Sequence, residues 1–225
     1  MKAKIINIKD ETYDTKTFRV KPEHKIKFKS GQFFIINMII NNKLEKRSYS
    51  VSSSPLKDYI EFTIKLVPNG LFSNNIFKAE VGTELNLEGP YGKFVFEDNS
   101  CKKVVLIGAG SGVAPLRGIL QYILKKKLNV KPFIYFYYKT KDDIIYKDEL
   151  EKLPKNIDIN ISLTRDEYWQ GLKGRINKDH INHILEDDQH KLFYICGPND
   201  FVSNAKKLLI DNGIKLEHIK NEIYG

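Results

Sequence analysis

The protein has 225 residues, 41% hydrophobic and 12% aromatic, which excludes a disordered chain and suits one large domain or two small ones. No apolar run nears the roughly 20 residues that span a bilayer, the first residues read as a strand rather than a signal peptide, and Cys101 and Cys196 are too few for a disulfide framework or an iron–sulfur cluster, so a cytoplasmic protein is expected. The net charge of +9 divides evenly, +4 up to Asp98 and +5 beyond it, with no basic tail, which reads as a solvated lysine-rich surface and argues against nucleic acid as a partner.

Residues 1–98 read as β structure. Strand-like runs fall at 4–8, 17–21, 32–38 and 47–52. Residues 59–67 alternate, with Ile60, Phe62, Ile64 and Leu66 on one face. Asn41-Asn42 marks a tight turn, residues 84–88 form another short alternating strand, and a short helix fits 71–78. Strands at this spacing predict a small antiparallel barrel or sandwich. Residues 99–225 have another texture. Apolar runs at 104–107, 132–138, 157–163 and 192–196 predict buried strands, and 216–219 offers a fifth. Amphipathic stretches at 115–128 and 201–211 predict helices, the second stopped by Gly213. Strands alternating with helices predict a doubly wound parallel sheet.

The strongest chemical feature is Gly108-Ala109-Gly110-Ser111-Gly112-Val113-Ala114-Pro115 after the buried run at 104–107. A strand enters a turn that only glycines make easily and leaves as a helix with proline in its first turn. Free N–H groups and the helix dipole there suit a pyrophosphate, although the spacing is G-x-G-x-G rather than the G-x-G-x-x-G of dinucleotide folds. Arg47-Ser48-Tyr49-Ser50 combines a phosphate fork, a stacking ring and hydroxyls, with Arg47 and Tyr49 on one strand face. Gly70-Leu71-Phe72-Ser73 opens a short helix whose N–H groups and Ser73 suit another phosphate. Cys196-Gly197-Pro198 ends a strand where open α/β sheets place ligands. Five arginines stand among 32 lysines, and a lysine-rich chain keeps arginine where a planar fork must hold a phosphate or carboxylate. His180 and His183 have helical spacing but read as an exposed helix face, so no metal is expected.

In this order the segments resemble the ferredoxin–NADP reductase superfamily of flavoproteins, from Gly31 to Gly225. The landmarks are Gly31-Gln32-Phe33, Arg47–Ser50, Gly70–Ser73, Gly89–Phe94, Gly108–Pro115, Thr164-Arg165, Gly174-Arg175, Cys196-Gly197-Pro198 and Glu222-Ile223-Tyr224. The resemblance implies a flavin-binding β-barrel domain over 1–98 and an NAD(P)-binding α/β domain over 99–225. It implies that Arg47 holds a flavin phosphate, Ser48 and Tyr49 line the flavin, and Ser50 bonds near its N5. Gly70 and Ser73 then approach the flavin pyrophosphate, while Gly108, Gly110, Gly112 and Pro115 cradle that of the nicotinamide nucleotide. Cys196, with Gly197 and Pro198, lies by the nicotinamide, and Glu222 and Tyr224 match the family's ending, with Tyr224 gating the flavin face.

Phe201 stands where many relatives carry methionine, Gly225 extends past the usual closing aromatic, and Tyr137-Tyr138-Lys139 lacks the usual glycine. Lys139, Thr164 and Arg165 favour NADPH over NADH, with Asp142-Asp143 as the opposing acids. Trp169 with Tyr168 is a candidate adenine contact. The expected cofactor is FAD rather than FMN, because both Arg47 and the Gly70–Ser73 segment are available for phosphates. The expected activity is hydride transfer between NAD(P)H and FAD by a monomer, with electrons exchanged with an acidic carrier such as ferredoxin or flavodoxin. An NAD(P)H:flavin reductase using free flavin, and an electron-transfer subunit of a larger complex, are the alternatives.

Overall fold

The computed structural model describes residues 1–98, 100–185 and 191–224; His190 and Gly225 lie outside the described residues. The chain divides into two compact units, Met1–Phe96 with Arg117–Lys127, and Glu97–Leu116 with Leu128–Gly225.

The first unit contains β1 (Lys2–Thr12), β2 (Thr15–Pro22), β3 (Phe33–Ile40), β4 (Lys43–Ser50), β5 (Ile60–Lys65), helix α1 (Leu71–Ile76) and β6 (Glu84–Tyr91). Its strands form an antiparallel sheet in the order β4-β3-β6-β1-β2-β5. A bridge between Val51, just past β4, and Phe62 of β5 joins the two ends and makes the sheet barrel-like. Ile5, Phe18, Phe34, Ile36, Phe62, Ile64 and Leu87 fill the interior, and α1 adds Phe72 and Ile76. Each such side chain contributes about 1.5–3 kcal/mol on burial. The strand expected at 47–52 instead begins at Lys43 and ends at Ser50. Residues 43–46 lack an apolar signal, but Asn41 and Asn42 both take positive φ, as a two-residue hairpin turn requires, and this turn sets Lys43 opposite Ile40.

The second unit contains β7 (Lys103–Ala109), a 3-10 turn at Gly110–Gly112, the start of helix α2 (Val113–Lys126), β8 (Lys131–Tyr138), α3 (Lys147–Leu150), β9 (Asp158–Leu163), β10 (Leu172–Lys173), α4 (Lys178–Leu185), β11 (Leu192–Pro198), α5 (Asn199–Asp211) and β12 (Ile219–Tyr224). Its sheet is parallel throughout, in the order β10-β9-β8-β7-β11-β12. Val105, Ile107, Phe133, Tyr135, Phe193 and Ile195 pack with Ile181 and Ile184 of α4 and Val202, Ala205 and Leu209 of α5. The alternate residues Val104, Leu106, Ile134, Phe136 and Tyr194 are buried as well, so both faces of the sheet are covered. The fifth strand expected at 216–219 is displaced: Leu216–His218 is a 3-10 turn and the strand is Ile219–Tyr224. The sequence 219–224 is too polar to advertise a strand, and edge pairing to β11 creates it. Of the histidine pair, His183 is exposed, as expected, and His180 is not. His180 is buried, and its Nδ1 lies 3.2 Å from the Tyr137 hydroxyl, while His183 Nδ1 lies 2.8 Å from that of Tyr135. Among the described residues no cluster has metal-ligand geometry, and no helix is long and apolar enough to cross a membrane.

Candidate functional site

In the first unit the motif Arg47–Ser50 closes β4. Tyr49 is opposite Phe34 and Arg47 opposite Ile36, so the two side chains leave the same face of β4, Tyr49 half-buried and Arg47 in solvent, while Ser48 leaves the other face. Tyr49 packs against Phe72 of α1, ring centroids 5.8 Å apart, and burial pushes its phenol up to about 12 although Arg47 opposes the shift. It is therefore a neutral ring at physiological pH. Arg47 is exposed, its Nη1 donating to the Lys46 carbonyl at 2.7 Å and to Glu45 at 3.3 Å. Such partners exchange readily for a phosphate. Ser50 is buried, 3% exposed.

Gly70 is the N-cap of α1 and brings no side chain to the cap. Ser73 is engaged differently from a phosphate ligand: its hydroxyl accepts from the Val67 N–H at 3.1 Å and faces the Val67 and Gly70 carbonyls. Its hydroxyl shapes the turn, and the Val67 and Gly70 carbonyls also accept from Asn74 Nδ2 at 3.1 and 2.8 Å.

Behind β4 lies a buried polar layer that sequence reasoning missed. Glu61 of β5 is 3% exposed and takes two arginines. Arg117 Nη1 donates to Oε2 at 2.7 Å, and Arg19 Nε to Oε1 at 2.9 Å. Burial by itself would raise the Glu61 carboxyl; the Arg117 and Arg19 guanidiniums overturn that and hold it below its usual range. The visible signals were a lone acid between Ile60 and Phe62 and the polar run Ser52-Ser53-Ser54 after a strand. So two of the five arginines serve an internal carboxylate, and Arg47, Arg165 and Arg175 remain exposed.

In the second unit the strand order reverses between β7 and β11, where open parallel sheets form a ligand crevice. The glycine turn sits at that point. A Cβ on Gly112 would lie 2.4 Å from the Cys196 carbonyl oxygen and 2.6 Å from Gly197 Cα, so only glycine lets the two strand-end loops touch. A Cβ on Gly108 would lie 2.8 Å from Leu116 Cδ1 and 3.0 Å from Val113 Cγ1, and Gly110 has φ +55 with open space around it, room for a ligand against bare backbone. Pro115 lies in the first turn of α2. Parallel pairing sets Cys196 beside Glu222 and Pro198 beside Tyr224. Burial drives the Cys196 thiol well above its ordinary range, the Glu222 carboxylate adds to this, and a hydrogen bond from Tyr224 partly offsets it. Burial thus favours the neutral thiol over the thiolate at Cys196. The Phe201 ring packs on Tyr137 at 5.2 Å and lies within 3.1 Å of where a Gly197 Cβ would be, filling the floor of this loop.

Lys139, Thr164 and Arg165 converge at the ends of β8 and β9: the Thr164 N–H donates to the Tyr138 carbonyl at 3.0 Å and that of Arg165 to Lys139 at 2.8 Å. An open cavity of about 330 Å³ is lined here by Thr140, Arg165, Asp166, Glu167 and Tyr168. Asp143, one of the acids weighed against NADPH, accepts from the Thr140 hydroxyl and N–H at 2.7 and 2.9 Å in a capping box and is committed there. The two candidate adenine contacts separate. Trp169 is anchored by Nε1–H donation to the Ile161 carbonyl at 2.9 Å, while Tyr168 is 86% exposed beside the cavity.

The profile of the oxidoreductase FAD-binding domain matches residues 2–96, and that of the oxidoreductase NAD-binding domain matches 106–207. The chain belongs to the ferredoxin–NADP reductase superfamily. Its two domains therefore bind FAD and a nicotinamide dinucleotide. The glycine cradle and the neutral Tyr49 beside an exposed Arg47 fit those groups. The chain is 31% identical to the glycine betaine monooxygenase reductase subunit of Pseudomonas aeruginosa over 99% of its length and 64% of the relative's. It is 31% identical to the reductase component of propane 2-monooxygenase from Gordonia, covering 89% of this chain and 60% of that one. The family members thus spanned are longer than this chain, which covers less than two-thirds of them. The solved CS-b5R domains of human Ncb5or, in the NAD+ form, superpose with a TM-score of 0.88 at 28% identity, over 98% of this chain and 68% of that one.

Proposed function

We propose that the protein is an FAD-dependent NAD(P)H oxidoreductase that takes a hydride from the nicotinamide nucleotide and delivers electrons to a separate carrier. FAD, when bound, supplies the conversion of a two-electron donor into single-electron steps. The observation that carries the reading is the closure of Gly112 onto Cys196-Gly197 at the strand-order reversal, which makes a backbone cradle with a neutral thiol, Glu222 and Tyr224 beside it. In this reading Gly108, Gly110 and Gly112 hold the nucleotide's pyrophosphate, with Pro115 setting the helix start. Cys196, with Gly197 and Pro198, excludes water beside the nicotinamide. Arg47 holds a flavin phosphate, Tyr49 lies against the flavin, Ser48 and Ser50 flank it, and the backbone at Gly70–Ser73 meets the second phosphate. Lys139, Thr164 and Arg165 favour NADPH, supported by the commitment of Asp143 to its capping box.

The partner in this proposal is an acidic electron carrier of the ferredoxin or flavodoxin kind, met in the cytoplasm by a monomeric reductase. Relatives named as reductase components of oxygenases support a second reading, an electron-transfer component of a multicomponent oxygenase. Mass identification of the released flavin, with NADPH- and NADH-driven reduction of ferricyanide, flavodoxin and ferredoxin, tests both. FAD retained through purification and reduction of a carrier are expected. A colourless protein that reduces only added free flavin overturns the proposal in favour of a flavin reductase.

A further inference from the structure

The segment that follows the flavin motif is unusually polar for a buried one. Ser52, Ser53 and Ser54 are fully buried, and each hydroxyl has an internal partner. Ser52 Oγ donates to the Glu61 carbonyl at 3.1 Å and accepts from Thr63 at 3.0 Å; Ser53 Oγ accepts the Glu61 N–H at 3.0 Å; Ser54 Oγ accepts from the Leu56 N–H. Three apolar residues would fill the same space without these partners. Such a network fixes one arrangement of the chain where apolar packing tolerates several.

Residues 117–121 hold that segment from the other side, and all of them count with the first unit. Arg117 Nη1 donates to the Ser52 carbonyl at 2.9 Å as well as to Glu61, so one guanidinium reads two chain segments at once. A Cβ on Gly118 would lie 2.8 Å from the Val51 carbonyl oxygen, which shows how closely the helix backbone meets the segment. The Ser54 N–H donates to Gln121 Oε1 at 3.3 Å, and Ser30 Oγ donates to the Gly118 carbonyl at 3.3 Å. The Val51–Phe62 bridge and the Ser52 N–H, which donates to the Glu61 carbonyl at 2.8 Å, join this stretch to β5. β4 is held in register by its ladder to β3 as far as Ser50, opposite Phe33, so these contacts fix the chain where it leaves that ladder.

We propose that Arg117 is a positioning residue for the flavin: by clamping the Ser52 carbonyl to Glu61 it fixes the chain directly after Ser50, and with it the placement of that end of the Arg47–Ser50 motif. The proposal rests on the reading of Arg47–Ser50 as the flavin motif. Arg19 supplies the internal control, because it binds the same carboxylate yet makes no hydrogen bond to residues 51–54. Removing either arginine leaves Glu61 with the other, so neither variant strands a buried charge.

The test is FAD titration of the apoprotein, followed by the visible circular dichroism of the bound flavin, for wild type, Arg117→Met, Arg117→Lys and Arg19→Met. Thermal unfolding of each variant is measured alongside. Arg117→Met should weaken FAD binding about tenfold, the loss of a charge-assisted hydrogen bond, and alter the flavin dichroism. Arg117→Lys, which keeps the charge but cannot fork, should recover only part of the affinity. Arg19→Met should lower the unfolding temperature comparably while leaving FAD affinity and dichroism at wild-type values. Equal losses of affinity in the Arg117 and Arg19 variants, or no loss in Arg117→Met, overturn the proposal. If Arg117→Met does not fold, Gln121→Ala carries the same test with a smaller expected loss. A wild-type apoprotein that binds no flavin overturns the flavin-motif reading itself, a result separate from any difference among the variants.

Discussion

The two proposed binding regions are built on opposite plans. Around Arg47–Ser50 the chain is fixed by side chains: a buried carboxylate with two guanidiniums, three buried serines and a tyrosine packed on a helix. Around Gly108–Gly112 it is fixed by backbone meeting backbone, and the charged candidates Lys139 and Arg165 stay in solvent. The first plan suits a group that is held through many turnovers, because its preorganised polar layer is costly to open. The second suits a substrate that enters and leaves, because a bare-backbone cradle and exposed cations need little rearrangement.

The comparison breaks most sharply at Gly112. Gly112→Ala places a methyl group against the Cys196 carbonyl and should cost about 3 kcal/mol in the second unit. NAD(P)H-driven ferricyanide reduction should fall about 100-fold, with FAD content retained. Loss of FAD instead would show that the two regions are not independent. Glu61→Gln probes the other plan. It leaves Arg117 and Arg19 without their counter-charge and should cost about 3 kcal/mol at pH 7 in denaturant unfolding.

The same residue predicts a pH dependence. Because the folded state holds Glu61 below its usual 4.5, its stabilisation is complete above that value and lost as pH falls through the lower, folded-state one. Wild type should lose this contribution on acidification below about pH 4.5, and Glu61→Gln should lack that part of the slope. A slope unchanged in the variant would sink the assignment.

Smaller effects sharpen the second plan. Arg165→Ala should lower kcat/KM for NADPH about tenfold and leave NADH nearly unaffected, as steady-state kinetics with the two nucleotides will show. Tyr168→Ala should raise KM for either nucleotide about threefold at constant kcat, since an exposed ring offers stacking area and little else. An effect on kcat would place Tyr168 in the chemistry rather than at the adenine end.

Much of this was legible in the residues. The alternation Ile60, Phe62, Ile64 marks one apolar face and the continuous run Val104–Ile107 two, which separates an antiparallel barrel from a parallel sheet, although Glu61 and Thr63 of β5 are buried as well. The glycines at 108, 110 and 112 and the group Cys196-Gly197-Pro198 were visible as turns with a ligand's chemistry. Other features were not legible, for reasons that are local in each case. Residues 219–224 carry no strand signal of their own and become β12 only by pairing with β11. The hydroxyl of Ser73 looked free for a phosphate, but the Val67–Gly70 turn folds back onto it.

The sequence by itself determined the two sheet types and the glycine turns, since these follow from periodicity and from residues whose backbone freedom is intrinsic, and the order of its motifs carried the family resemblance. Only the tertiary structure decided that Gly112 touches Cys196, that Tyr224 and Glu222 flank that thiol, and that Arg117 and Arg19 serve Glu61 while Arg47 and Arg165 stay exposed. An arginine's partner depends on which distant carboxylate or carbonyl the folded chain brings within about 3 Å, and no local pattern encodes that distance.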